Sequence, residues 1–118
     1  MSIAFSYFFQ FLVGHAAADF VFQPQAMGKG KDRNSEIHRE VDVVDFPPWF
    51  IWLTAHSLIH GGAVFLVTGY ATLGAVEVLL HWIIDFAKCE GWLSFWQDQA
   101  FHVGCKVAYC VFLLNYFG

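Results

Sequence analysis

Charge is what this chain has least of. Lys, Arg, Asp and Glu make up 14% of 118 residues, against 58% hydrophobic residues and a mean hydropathy of +0.51. A soluble domain of this length needs more charge to cover its surface, so the composition points to a membrane protein. The formal net charge of −4 leaves no basic footprint, which argues against a nucleic-acid partner. Proline is scarce: Pro24, Pro47 and Pro48 are the only three, and all border the one polar stretch, where helices end or begin. Cysteine is scarce and odd in number. Cys105 and Cys110 fall on different faces of one segment and cannot pair, and Cys89 lacks metal-motif spacing, so all three read as small packing residues. A nucleophilic serine motif and a phosphate-binding loop are both missing. The first segment has neither a basic n-region nor a small-residue cleavage site, so it does not read as a removable signal peptide.

What the chain has in quantity is apolar sequence in four runs, roughly 3–22, 49–70, 72–88 and 93–117. Each is long enough, or nearly so, to cross the hydrocarbon core of a bilayer. The expected fold is all-α, one domain over residues 1–118, an antiparallel bundle of four transmembrane helices. The polar loop, 23–48, holds Lys29, Lys31, Arg33 and Arg39 among Asp32, Glu36, Glu40, Asp42 and Asp45, and predicts a short surface helix over 35–44. Five of the six basic residues lie between Lys29 and Arg39 or at Lys88. The positive-inside rule then puts the loop in the cytoplasm and both termini on the outer side.

Every apolar run carries ionisable residues at helical spacing: His15/Asp19, His56/His60, His81/Asp85 and Asp98/His102. Residues four apart share a helix face. Charges in such runs are costly and usually functional. With Gln23, Trp49, Lys88 and Ser94 as the cytoplasmic helix ends, a 1.5 Å rise puts the four pairs in one slab about 4–16 Å deep. Glu77 and Lys106 fall at about 16 and 18 Å, just beyond that slab, and are expected to pair. Five histidines and three aspartates are enough ligands for about two metals. The imidazole and carboxylate mixture suits Zn²⁺, with Fe²⁺ or Mn²⁺ also fitting. Asp85 or Asp98 is a candidate general base beside metal-bound water. Lys88 could hold a phosphate, or simply snorkel. Gln23 and Gln99 could orient ligands from outside the first ring of contacts. His38, in the polar loop, reads as solvated. A metal-free hydrogen-bond or proton network is the competing reading.

At these residues the chain resembles the bacterial and phage membrane proteins grouped as domain of unknown function 3307. The resemblance covers nearly the whole chain. It rests on His15-x-x-x-Asp19-Phe20-x-x-Gln23, then Met27 and a lysine, then His56-x-x-x-His60-Gly61, His81-x-x-x-Asp85-x-x-Lys88 and Asp98-Gln99-x-x-His102. It is also loosely similar to inner-membrane proteins described as metal-dependent hydrolases. The resemblance implies a multi-pass protein of the bacterial inner membrane and supplies no substrate.

The expected function is a membrane-embedded metal-dependent hydrolase acting on a lipid or phosphoester. Metal-ion or proton transport is the first alternative and would need a homo-oligomer. A non-enzymatic membrane interaction protein is another. Di-iron oxygen chemistry ranks lower, because the Glu-x-x-His spacing of such sites is missing.

Overall fold

The computed structural model describes residues 2–40 and 45–117. Among these the chain is all-helical: α1 (Ile3–Ala16), a π-helical turn (Ala17–Val21), α2 (Gln25–Gly30), α3 (Ile37–Glu40), α4 (Trp49–Thr68), α5 (Ala71–Cys89) and α6 (Phe95–Phe117). Val41 to Val44, part of the surface helix expected over 35–44, and Asp42 with them, lie outside the described residues; α3 is what is seen of that helix.

The ends of these helices follow from local chemistry. The Ser2 hydroxyl accepts the Phe5 backbone N–H and caps α1. Pro24 and Pro48 stand immediately before α2 and α4, where a missing N–H costs nothing. Gly69 closes α4 at φ 75°, a left-handed position that favours glycine. The two-residue link to α5 and the short link from Cys89 to Phe95 make α4, α5 and α6 successive antiparallel neighbours. Around the bundle α1 packs on α4 and α6, α4 on α5, and α5 on α6.

The four-span membrane arrangement does not hold. Among the described residues only α4, 20 residues with a mean hydropathy of 1.6, is long and apolar enough to cross a membrane. The physical reason lies in the polar residues, most of which turn inward. Helix α5 carries Glu77, Asp85 and Lys88, and α6 carries Asp98, Lys106 and two glutamines. Helix α1 ends after 14 residues, where the π turn begins. The assignment of a cytoplasmic loop and outer termini rested on the four-span arrangement.

The interior has two unlike halves. At one end Phe11, Val64, Tyr109, Cys110 and Leu113 form an apolar cluster. The other half is built from buried polar residues: His56, Ser57 and His60 of α4, Glu77, His81 and Asp85 of α5, and Asp98, His102 and Lys106 of α6. His56/His60, Glu77/His81/Asp85 and Asp98/His102/Lys106 recur at four-residue spacing, so one stripe per helix is polar and inward.

Helices α4 and α5 meet backbone to backbone at Gly61 and Gly74. A Cβ built on Gly61 would sit 2.6 Å from the Gly74 carbonyl, whereas one on Gly62 would meet nothing within 4 Å. Gly61→Ala is therefore expected to destabilise the protein by about 1–3 kcal/mol through overpacking. Gly62→Ala should be neutral or stabilising by up to about 1 kcal/mol, because alanine is the better helix former. Denaturant unfolding of both variants checks the contrast.

Candidate metal centre

The π turn sets the site. Widening the helix at Ala17–Val21, marked by the Phe22 N–H donating to the Ala17 carbonyl at 2.9 Å, places Asp19 at the head of the polar interior. Its Oδ1 lies 2.8 Å from His60 Nε2 and 3.4 Å from His56 Nε2, and its Oδ2 lies 3.2 Å from His15 Nε2. Asp19, His56, His60 and His81 each offer a ligand atom, and these four atoms lie within 4.8 Å of one another. Four ligands around a tetrahedral Zn²⁺ at about 2.0–2.1 Å stand about 3.4 Å apart, so small shifts would close this set on an ion.

The histidines are packed ring on ring. His60 and His81 stack at 3.7 Å between centroids, and His81 and His102 at 4.2 Å. His56 and His81 are at most 1% exposed, yet neither ring nitrogen of either residue meets a hydrogen-bond partner. Leaving a buried polar atom unpaired costs about 1–3 kcal/mol, so four such nitrogens in one spot demand a reason.

The other sequence-selected residues surround this set. Gln99 bridges it: its Oε1 lies 3.1 Å from His15 Nε2, and its amide donates to Asp19 Oδ2 at 3.4 Å and to Asp98 Oδ2 at 3.2 Å. The Gln23 side chain donates to the Asp19 backbone carbonyl and so braces the π turn. Asp98 pairs with His102 at 3.2 Å rather than joining the four-atom set. Asp85 Oδ2 lies 3.6 Å from His56 Nε2 and 3.8 Å from His81 Nε2, beside the set but engaged elsewhere. Glu77 pairs with Lys106 at 2.5 Å and accepts the Tyr109 hydroxyl at 2.6 Å. Lys88, whose Nζ stands 5.7 Å from the Phe95 ring, lines the mouth of the site.

Two features were not read from the sequence. Lys31, counted there as a loop charge, is 6% exposed and donates to Asp85 Oδ2 at 2.6 Å. The segment that carries it is pinned on both sides. Gly30 lies against the Trp52 ring, and Arg33 makes a two-pronged ion pair with Glu90. Met27 and Lys31, four apart, are both buried on one face of α2 and its cap, a burial that the sequence alone does not show. The second feature is Glu77, which with His81 and His102 forms another group of three possible ligands within 4.8 Å. His38, read as solvated, is half-buried; its Nε2 lies 2.9 Å from the Gly30 carbonyl.

A cavity of about 70 Å³ opens onto this assembly, lined by Asp19, Gln23, Lys31, His81, Asp85, Lys88, Asp98, Gln99 and His102, with Phe20 and Phe95 at its rim. It has room for about two waters, or for one small polar head group. Burial pushes the Asp19 carboxyl up, but its contacts with His15, His56 and His60 outweigh this and hold it well below the usual carboxylate range. Burial, helped by the neighbouring histidines, drives His81 far below the ordinary imidazole value. Burial opposes charge on His15, yet Asp19 and Gln99 raise its pKa. At neutral pH the site therefore holds an ionised Asp19 and a neutral His81, both in the form a metal takes.

The sign for stability follows. His81 is depressed in the fold, so its contribution is present above the unfolded value near 6.5 and is lost as the pH falls below it. Asp19, also depressed, adds a loss below its own unfolded value near 3.8. His15 acts in the opposite sense. The metal-free protein is expected to lose stability as pH falls from 7 toward 4, by urea unfolding at each pH; a His81→Gln variant should lose less.

A helical bundle with a His- and Asp-lined polar interior defines the class. Residues 7–117 match the family described as "Protein of unknown function (DUF3307)", and the chain belongs to it. No curated protein and no solved structure matches the chain.

Proposed function

We propose that the chain is a metal-dependent hydrolase that binds one divalent ion, with Zn²⁺ favoured, through Asp19, His56, His60 and His81. One observation carries this reading: His56 and His81 are buried with no hydrogen bond at either ring nitrogen, within ligand reach of Asp19 and His60. Beside the cavity that Asp19 and His81 line, the bound ion would need to take a water as a further ligand; it would then lower that water's pKa and supply the nucleophile. Asp85 faces the same space and is the proposed general base, held in place by the Lys31 ammonium. Lys88 at the mouth is the proposed contact for an anionic ester, and its charge favours a phosphoester over a neutral carboxyl ester. Asp98 is proposed to orient His102. The test is hydrolysis of a panel of phosphoesters and carboxyl esters by metal-loaded protein. Turnover of a phosphoester that falls at least a hundredfold in Asp85→Asn supports the reading; equal rates in the two proteins oppose it.

We further propose that the protein works in contact with membrane lipid. The support is the outer surface: Phe5 and Phe9 of α1, Leu58 and Leu66 of α4, and Leu79 and Ile83 of α5 are all exposed. Purified protein is expected to float with liposomes in a density gradient; protein remaining at the bottom without detergent would oppose lipid contact.

A further inference from the structure

His81 stands midway along a stripe of α5, with Glu77 one turn before it and Asp85 one turn after. Its Nδ1 lies 3.7 Å from Glu77 Oε1, and its Nε2 lies 3.8 Å from Asp85 Oδ2. The two nitrogens thus face different carboxylates, and both are unpartnered. Each carboxylate is met by the ammonium group of a buried lysine: Asp85 by Lys31 and Glu77 by Lys106.

The Glu77 side of this stripe is a ligand set in its own right. Glu77, His81 and His102 are at most 2% exposed, and one ligand atom from each falls within 4.8 Å of the others. The Nδ1 atoms of His81 and His102 are both buried without a partner. The His102 Nε2 donates to Asp98, which leaves its Nδ1 lone pair as the free ligand atom. Among the described residues the cation at this set is Lys106, 2% exposed, with Nζ 2.5 Å from Glu77 Oε1. The Tyr109 hydroxyl holds the other Glu77 oxygen at 2.6 Å.

We propose that Lys106 fills, with its own charge, a second metal site made by Glu77, His81 and His102, and thereby limits the chain to one divalent ion. The ammonium neutralises Glu77, the single carboxylate of the set, and repels an incoming dication. The ligand this set takes once Lys106 is removed is a divalent ion that accepts imidazole and carboxylate, such as Zn²⁺ or Co²⁺. His81 would then be shared by both ions and would release its one N–H proton to solvent.

This inference rests on the reading of the Asp19 set as the resident site, and its test separates the two. Metal-free protein is titrated with Co²⁺ and with Zn²⁺, followed by calorimetry, visible absorption and elemental analysis. Four proteins are compared: the unaltered chain, Lys106→Met, Lys106→Gln, and Lys106→Met combined with Glu77→Gln. The glutamine variant keeps a hydrogen-bond donor for Glu77 and guards against loss of folding, which far-ultraviolet circular dichroism monitors.

The expected result is one equivalent for the unaltered chain, two for each folded single variant, and one again for the double variant. Two equivalents in the unaltered chain overturn the proposal whether or not the variants fold. One equivalent in a folded single variant overturns it as well. No ion in the unaltered chain with one in Lys106→Met would defeat the Asp19 reading while supporting the Lys106 one.

Discussion

Replacing His81 with alanine is expected to weaken divalent-metal binding sharply. His81 is one of the four ligands of the Asp19 set and presents two buried, unpartnered nitrogens. Loss of a group that merely orients a ligand costs about 10–100-fold in affinity, and loss of a ligand should exceed that. Gln99→Ala, which removes the bridge between His15, Asp19 and Asp98, should fall inside that range. Competition against a chromophoric chelator measures both. The stability of the two apoproteins should differ in the other direction. Removing His81 removes two orphaned nitrogens along with a packed ring, so part of the packing loss is offset. Removing Gln99 leaves His15 Nε2 with Asp19 alone. Equal metal affinity in His81→Ala and the unaltered chain would mean that the ring pile is structural.

The second large effect is expected at Lys31. Truncation to methionine leaves the Asp85 carboxyl, 2% exposed, without its cation. Breaking a buried pair by removing one partner typically costs about 3–5 kcal/mol. Lys31→Met is therefore expected to destabilise the metal-free protein by about that much in denaturant unfolding. Lys31→Met combined with Asp85→Asn should recover most of the loss, since no unpaired charge remains. Added Zn²⁺ should narrow the gap between Lys31→Met and the unaltered chain, because Asp85 lies beside the His56 and His81 nitrogens and gains a new cation. Arg33→Ala is the contrast. Its pair with Glu90 is at the surface and screened by solvent, so its removal should cost far less than the loss of Lys31.

The positions of the long helices were legible because each carries a polar pair at four-residue spacing inside an apolar run, and prolines or glycines mark its ends. The convergence of Asp19, His56, His60 and His81 was legible for the same reason: faces defined by spacing must meet where helices pack. Hydropathy misled on the membrane. The same inward polar residues that build the site lower the apolarity of α5 and α6 below what a span requires, and a run of apolar letters does not show which of them end up inside. The π turn at Ala17–Val21 left no trace in an Ala-Ala-Asp-Phe-Val string, yet it decides where Asp19 sits. Lys31 was hidden by its neighbours. Lys29, Asp32 and Arg33 dress it as loop charge, and only tertiary packing of Gly30 on Trp52 turns it inward. Glu77 was recognised as a partner for Lys106, but its second identity as a ligand depends on His81 and His102 standing beside it.

The most direct test of the metal assignment is elemental analysis of the purified chain beside a His56→Ala/His60→Ala variant, each also after reconstitution with Zn²⁺, Fe²⁺ and Mn²⁺. One divalent ion per chain in the first and none in the second is the expected result. No retained ion in the unaltered chain with any of the three metals, or the same content in both proteins, would contradict it and leave the buried histidines as a metal-free polar network.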